Sequence, residues 1–197
     1  MAFAISAYSQ DQVFKTDKMT FYGLDFTKVR IDENSGVTAF YEPATFQDKY
    51  IPAINELLID EMKRYDVGRS YSKTQVDYDF EIANDRNYEF DIYKAYVEEE
   101  QIPTLEKDVV KEAVSHYKNK DKKGLGLLYV VDNINHERNI ITIQVVFFNE
   151  NTGETYLIKR ARGEMKGFSI RNYYAGGIRQ IIKDTEKTYN KRWKKGK

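Results

Sequence analysis

The sequence predicts an α+β fold in a single domain: a mainly antiparallel sheet of about four to five strands packed with three helices, in the order β-α-β-(β)-α-β-β-β-α. Three observations carry this reading. Apolar residues recur at helical spacing in three separated windows. Between those windows the period drops to two, as in half-buried strands. Three apolar runs then follow one another over 125–161, with a tight-turn signal before the last.

Taken in order, residues 19–31 alternate as a strand with Leu24, Phe26 and Val29 turned inward, and Asn34-Ser35-Gly36 is a turn signal. Pro52 suits a first helical turn, so the first helix starts near Ile51, with Ile54, Leu58, Met62 and Tyr65 completing its stripe. Val76, Tyr78, Phe80 and Ile82 alternate with Asp77, Asp79, Glu81 and Ala83, predicting a strand with one acidic face. Residues 88–97 fit either a short strand or a surface arm. Pro103 and Thr104 open a second helix whose stripe is Leu105, Val109, Ala113 and Tyr117, ending at the Lys-rich 118–123 and Gly124. Leu125–Val131, Ile140–Phe148 and Thr155–Ala161 are strands, the last two joined by Asn151-Thr152-Gly153. Ile170, Tyr174, Ile178, Ile181, Thr185 and Tyr189 mark a long final helix with a basic end. The helices are expected on one face of the sheet.

Composition narrows the chemistry. The 197 residues hold 31 basic and 31 acidic side chains, so no global field steers the chain onto nucleic acid. Cysteine is absent, which excludes disulfides, thiol nucleophiles, zinc-thiolate sites and a lipid-anchored cysteine. No apolar stretch is long enough for a transmembrane helix. With two histidines and no motif for phosphate, metal or nucleophilic catalysis, no cofactor and no catalytic residue is predicted. The sixteen Tyr and eleven Phe suit sheet surfaces.

The most unusual segment is Gly167–Ile178. Gly176 and Gly177 inside a helix each cost about 1 kcal/mol against Ala, which close packing would offset. The alternative is a binding surface formed by Arg171, Asn172 and Tyr173, with helix N–H groups receiving an anion. Trp193 in the basic tail is a further candidate, as an indole at an anionic lipid or polysaccharide surface, against a solvated terminus. The acid-rich stretch 77–100 opposite the basic C-terminal end allows an intramolecular contact or self-association, although exposed pairs contribute little.

The first ten residues read as the back half of a secretory signal peptide, with small residues at Ala7 and Ser9 before a polar Gln10. The organisation predicted is a signal remnant at 1–9 and one α+β domain at 10–197. Periplasmic or secreted location follows, or a cytoplasmic one if Met1 is the true start. The runs Gly124–Val131, Val145–Asn149 and Gly167–Gly176 resemble a family of small exported proteins of unknown function from Gram-negative bacteria. The resemblance covers about 120–182, with Tyr22–Thr27 matching loosely. It implies export and transfers no site residues. The function expected is a non-enzymatic domain binding another envelope protein or an envelope component. A glycan hydrolase using a carboxylate pair, or a small-ligand carrier, are the alternatives.

Overall fold

The structure is a computed structural model and describes residues 11–32, 42–98 and 103–195. The expected signal remnant and the Asn34–Gly36 turn lie outside the described residues. The strands are β1 (Lys18–Asp25), β2 (Arg30–Asp32), β3 (Gln75–Tyr78), β4 (Tyr96–Val97), β5 (Leu125–Asn135), β6 (Ile140–Asn149) and β7 (Thr155–Glu164). The main helices are α1 (Ile51–Asp60), α2 (Val67–Ser70), α3 (Glu81–Glu89), α4 (Lys107–Ser115) and α5 (Ile170–Thr188).

All seven strands form one mixed sheet around β5. Along one edge of β5, β1 pairs with its first half in parallel, from Thr20 opposite Gly126 to Asp25 opposite Val130. Farther along the same edge β2 pairs with it, Arg30 opposite Asn133. β3 and β4 add outside β1 and β2, again in parallel. From its other edge β5 continues into an antiparallel meander through β6 and β7.

This corrects the expected fold class. The chain is α/β, with seven strands instead of four or five, parallel pairing through β3-β1-β5-β2-β4 and more than three helices. Helices cover both faces. On one, Phe21, Leu127, Tyr129, Val145 and Phe147 pack with Ile54 and Leu58 of α1 and Ile178 and Ile181 of α5. On the other, Tyr22, Leu128, Val130, Val146 and Phe148 pack with Ala83 of α3 and Val110, Ala113 and Val114 of α4. A strand buried on both faces reads as an unbroken apolar run, as β5 does.

Three local differences have physical causes. The predicted strand over Val76–Ile82 stops at Tyr78, and Glu81 opens α3, which is anchored by amides instead of an apolar stripe. The Asn87 side chain donates to the Leu24 carbonyl at 2.8 Å and accepts from the Phe26 N–H at 2.7 Å. Asn55 of α1 accepts from the Leu24 N–H at 2.9 Å and donates to Asn84 at 3.0 Å. Second, α4 begins at Lys107 and is rotated from the predicted phase: Val109 is exposed while Val110 and Val114 are buried. Third, α1 ends at Asp60, leaving Met62 exposed.

The last helix lies backbone-to-backbone on the sheet. A Cβ at Gly163 of β7 would strike the Gly177 carbonyl, and one at Gly177 would strike Ile141. The two glycines are therefore a packing seam, and the intrinsic helix penalty is offset by contact. The tyrosines are used as core: Tyr22, Tyr65, Tyr71, Tyr117, Tyr129, Tyr174 and Tyr189 are all buried, and the Tyr71 and Tyr129 hydroxyls bond at 2.8 Å. Residues 11–15 form a helical turn held from below by Lys73, whose ammonium donates to the Val13 and Thr16 carbonyls at 2.5 and 2.6 Å. Tyr189 donates to the same Val13 carbonyl at 3.0 Å, and burial pushes the Lys73 ammonium down to about 8.

Two outcomes follow from this packing. Gly163→Ala forces α5 off β7 and lowers unfolding free energy by about 2–3 kcal/mol in urea titration, with the fold retained. His136, buried beneath the β5–β6 turn with its Nε2 2.7 Å from the Tyr174 hydroxyl, is pushed down to about 4 by desolvation. The unfolded chain binds this proton first, so the contribution is complete above about pH 6.5 and is lost as pH falls toward 4. Between pH 7 and 5 the wild type loses about 2 kcal/mol that His136→Gln retains, a difference readable in parallel denaturant titrations.

Candidate anion-binding site

Two aspartates are fully buried on the α4 side of the sheet, near the carboxyl ends of β1 and β5. Asp25 ends β1. It accepts from Tyr117 at 2.8 Å, from Arg86 Nε at 3.1 Å, and from the Thr27 amide and hydroxyl at 2.8 and 2.6 Å. Burial, then the Asp25 charge, raises the Tyr117 phenol well above its ordinary value, so it stays a donor. This cluster joins β1 to α3 and to Tyr117 just past α4, with every polar atom of the carboxylate engaged.

Asp132 is different in its surroundings. It is the extra residue of a bulge in β5 between Val131 and Asn133, a device that re-aims a side chain out of the regular ladder. Its carboxylate accepts from Arg30 Nη2 at 2.6 Å, Gln144 Nε2 at 2.7 Å and the Leu105 amide at 3.3 Å. Arg160 Nε approaches the other oxygen at 3.8 Å. Gln144 faces Arg160 across the β6–β7 ladder, and Arg162 lies two residues farther on the same face of β7.

Among the described residues, two guanidinium groups thus flank Asp132, and a third, that of Arg162, acts on Arg160 from the same face of β7. Burial, then the Arg162 charge, holds the Arg160 guanidinium below its ordinary value, with Asp132 acting against this and Arg30 adding to it. Arg160 stays cationic all the same, because a guanidinium loses its proton only far above neutrality. Arg30 Nε is buried and has no partner among the described residues. Arg160 is two-thirds covered by protein, which weakens solvent screening without closing access. The arrangement carries excess positive charge, forked donors and partial desolvation, the properties that bind carboxylate, phosphate or sulfate. By contrast, the groove at the other end of the sheet mixes Asp77, Asp79 and Glu150 with Lys122 and Lys123, and Lys122 is paired to Asp79 at 2.5 Å.

The residues that the sequence singled out are placed elsewhere. Arg171, Asn172 and Tyr173 lie in the first turn of α5, two of whose amides are used by Ser169: it accepts from the Asn172 N–H through its hydroxyl and from the Tyr173 N–H through its carbonyl. The Tyr173 hydroxyl donates to Asn139 at 2.6 Å. Arg171 is half-buried near Tyr65. Beside them Phe168 is fully exposed. Trp193 is half-buried, with its ring 6.2 Å from Tyr71 and 6.0 Å from Tyr189. None of these four touches the arginine cluster. Its members are spread over more than a hundred residues and carry no motif. Among the described residues no helix is long and apolar enough to cross a membrane. Comparison with protein-family models, curated proteins and solved structures found no match for the chain.

Proposed function

We propose that the protein is a non-enzymatic exported domain that binds an anionic group of another protein or an envelope component through the face formed by Arg30, Arg160 and Arg162. The observation that supports this is the charge imbalance among the described residues around Asp132: Arg30 and Arg160 flank one carboxylate, Arg162 adds its charge beside Arg160, and the buried Arg30 Nε has no partner among them. The exported setting enters this reading from residues 1–10 and from the resemblance over 120–182. A binding role also suits the two buried aspartates, whose oxygens are occupied by donors from the chain itself. The aromatic rings fill the space between sheet and helices against one another, Phe21 on Tyr129 at 4.9 Å and Tyr71 on Phe147 at 5.0 Å.

The binding test is calorimetric titration with a hexaglutamate peptide at low salt. Arg160→Gln/Arg162→Gln is expected to weaken binding at least tenfold and to flatten its salt dependence. Both side chains lie at the sheet edge, so the melting temperature stays within a few degrees. A Lys194→Gln/Lys195→Gln variant controls for the basic tail; equal loss there, with none from the arginine variant, overturns the assignment. For the exported setting, the native protein expressed from its own upstream DNA is expected in the periplasmic fraction with an intact mass beginning at or near Gln10. A cytoplasmic species retaining Met1 removes that part of the reading.

A further inference from the structure

We infer that the partner is an acidic segment in extended conformation, and that it binds by adding an antiparallel strand to the outer edge of β7. The inference rests on the anion-binding reading above and specifies what carries the anions.

The edge is open and its parity is defined. Among the described residues β7 pairs with β6 and with no strand on its outer side. Glu150 donates to the Gly124 carbonyl at 3.1 Å, so the even-numbered residues of β6 bond toward β5 and the odd ones toward β7. The β6–β7 register then directs Leu157, Lys159, Ala161 and Gly163 inward to β6. The backbone groups of Ile158, Arg160 and Arg162 consequently point out from the sheet. Glu164 agrees with this parity: its amide, at the end of the strand, turns outward to Gln180 Oε1 at 3.2 Å. Gln180 thereby occupies one end of the edge, and among the described residues no strand covers the stretch 158–162.

Charge selects the occupant. The residues that offer backbone groups at 160 and 162 place their guanidinium groups on the α4 side, next to Arg30 and Asp132. A residue directly opposite Arg160 in an added strand would have its Cβ about 5 Å away and on the same face. Acidic residues at alternate positions would therefore meet Arg160 and Arg162 in turn, while their own amides bond to the edge. A second copy of β7 is disfavoured in the register that sets Arg160 opposite its own counterpart, where guanidinium groups meet across the new ladder. The same basic residues thus repel self-pairing in that register, the usual hazard of an edge strand, and admit an acidic partner.

The probe is a ten-residue peptide with Glu at alternate positions and Thr or Val between, titrated into the full chain by calorimetry and followed by amide hydrogen exchange. Binding is expected to slow exchange at the Ile158, Arg160 and Arg162 amides at least tenfold. N-methylation of the Glu amides, which face β7 in the antiparallel pairing, is expected to weaken binding at least tenfold. N-methylation of the intervening amides leaves affinity within about twofold. If both methylated peptides bind as well as the parent, or the three amides remain unprotected, strand addition is overturned and the anion-binding reading stands. If the parent peptide binds neither the wild type nor any variant, and hexaglutamate also fails, both readings fall.

Discussion

The fold depends on one constraint: β5 has no side open to water. It is paired along both edges and covered on both faces, and ten of its eleven residues are buried. A strand in that position can carry a charge only if the charge is paired in place, since an isolated buried carboxylate is prohibitively costly. Asp132 therefore dictates what surrounds it. Arg30 on β2, Gln144 on β6 and the Leu105 amide before α4 all turn toward it, so that three separate elements are brought to one point. The bulge that seats Asp132 also bends the ladder at the level where β1 gives way to β2.

Asp25 does comparable work at the end of β1. Its partners come from α3 and from Tyr117, two residues past the end of α4, so the helices on that face are oriented by hydrogen bonds as well as by apolar contact. Removing one partner of such a buried pair typically costs about 3–5 kcal/mol, much more than an exposed ion pair contributes. On the opposite face α5 lies on β7 mainly by close contact, with glycines at the seam and one hydrogen bond from the Glu164 amide to Gln180, and stacked tyrosines fill the layer elsewhere. Both faces thus combine packing with polar anchors, Asn55 tying α1 to β1 on this one.

The sequence made the meander legible because β5, β6 and β7 are neighbours in the chain and their turns are short. α5 was legible because Tyr174, Ile178, Ile181 and Thr185 hold a 3.6-residue period over about three turns. The parallel pairs were not, since β1 meets β5 a hundred residues away and nothing local announces a partner at that distance. α3 was hidden because its buried face is Ala83 and Asn87, one small and one polar. In the site, Arg30, Arg160 and Arg162 have no shared spacing; only the fold brings them together. Asp132 was not legible because the sequence ends that strand at Val131, whereas β5 runs on to Asn135 and takes the carboxylate into the buried ladder, where it demands a cation.

The hold on Val13 has a kinetic meaning. Its carbonyl accepts from Lys73 and from Tyr189, the latter 176 residues along the chain. β1, which follows directly, has only the short β3 beside it until β5 arrives. The first half of the polypeptide accordingly contains edges without a centre, and of the two donors on Val13 only Lys73 is present until Tyr189 arrives. Topologies dominated by such distant pairings fold slowly, because the loops close before the contacts reward them. During synthesis the chain therefore waits, unfinished, for its own C-terminus.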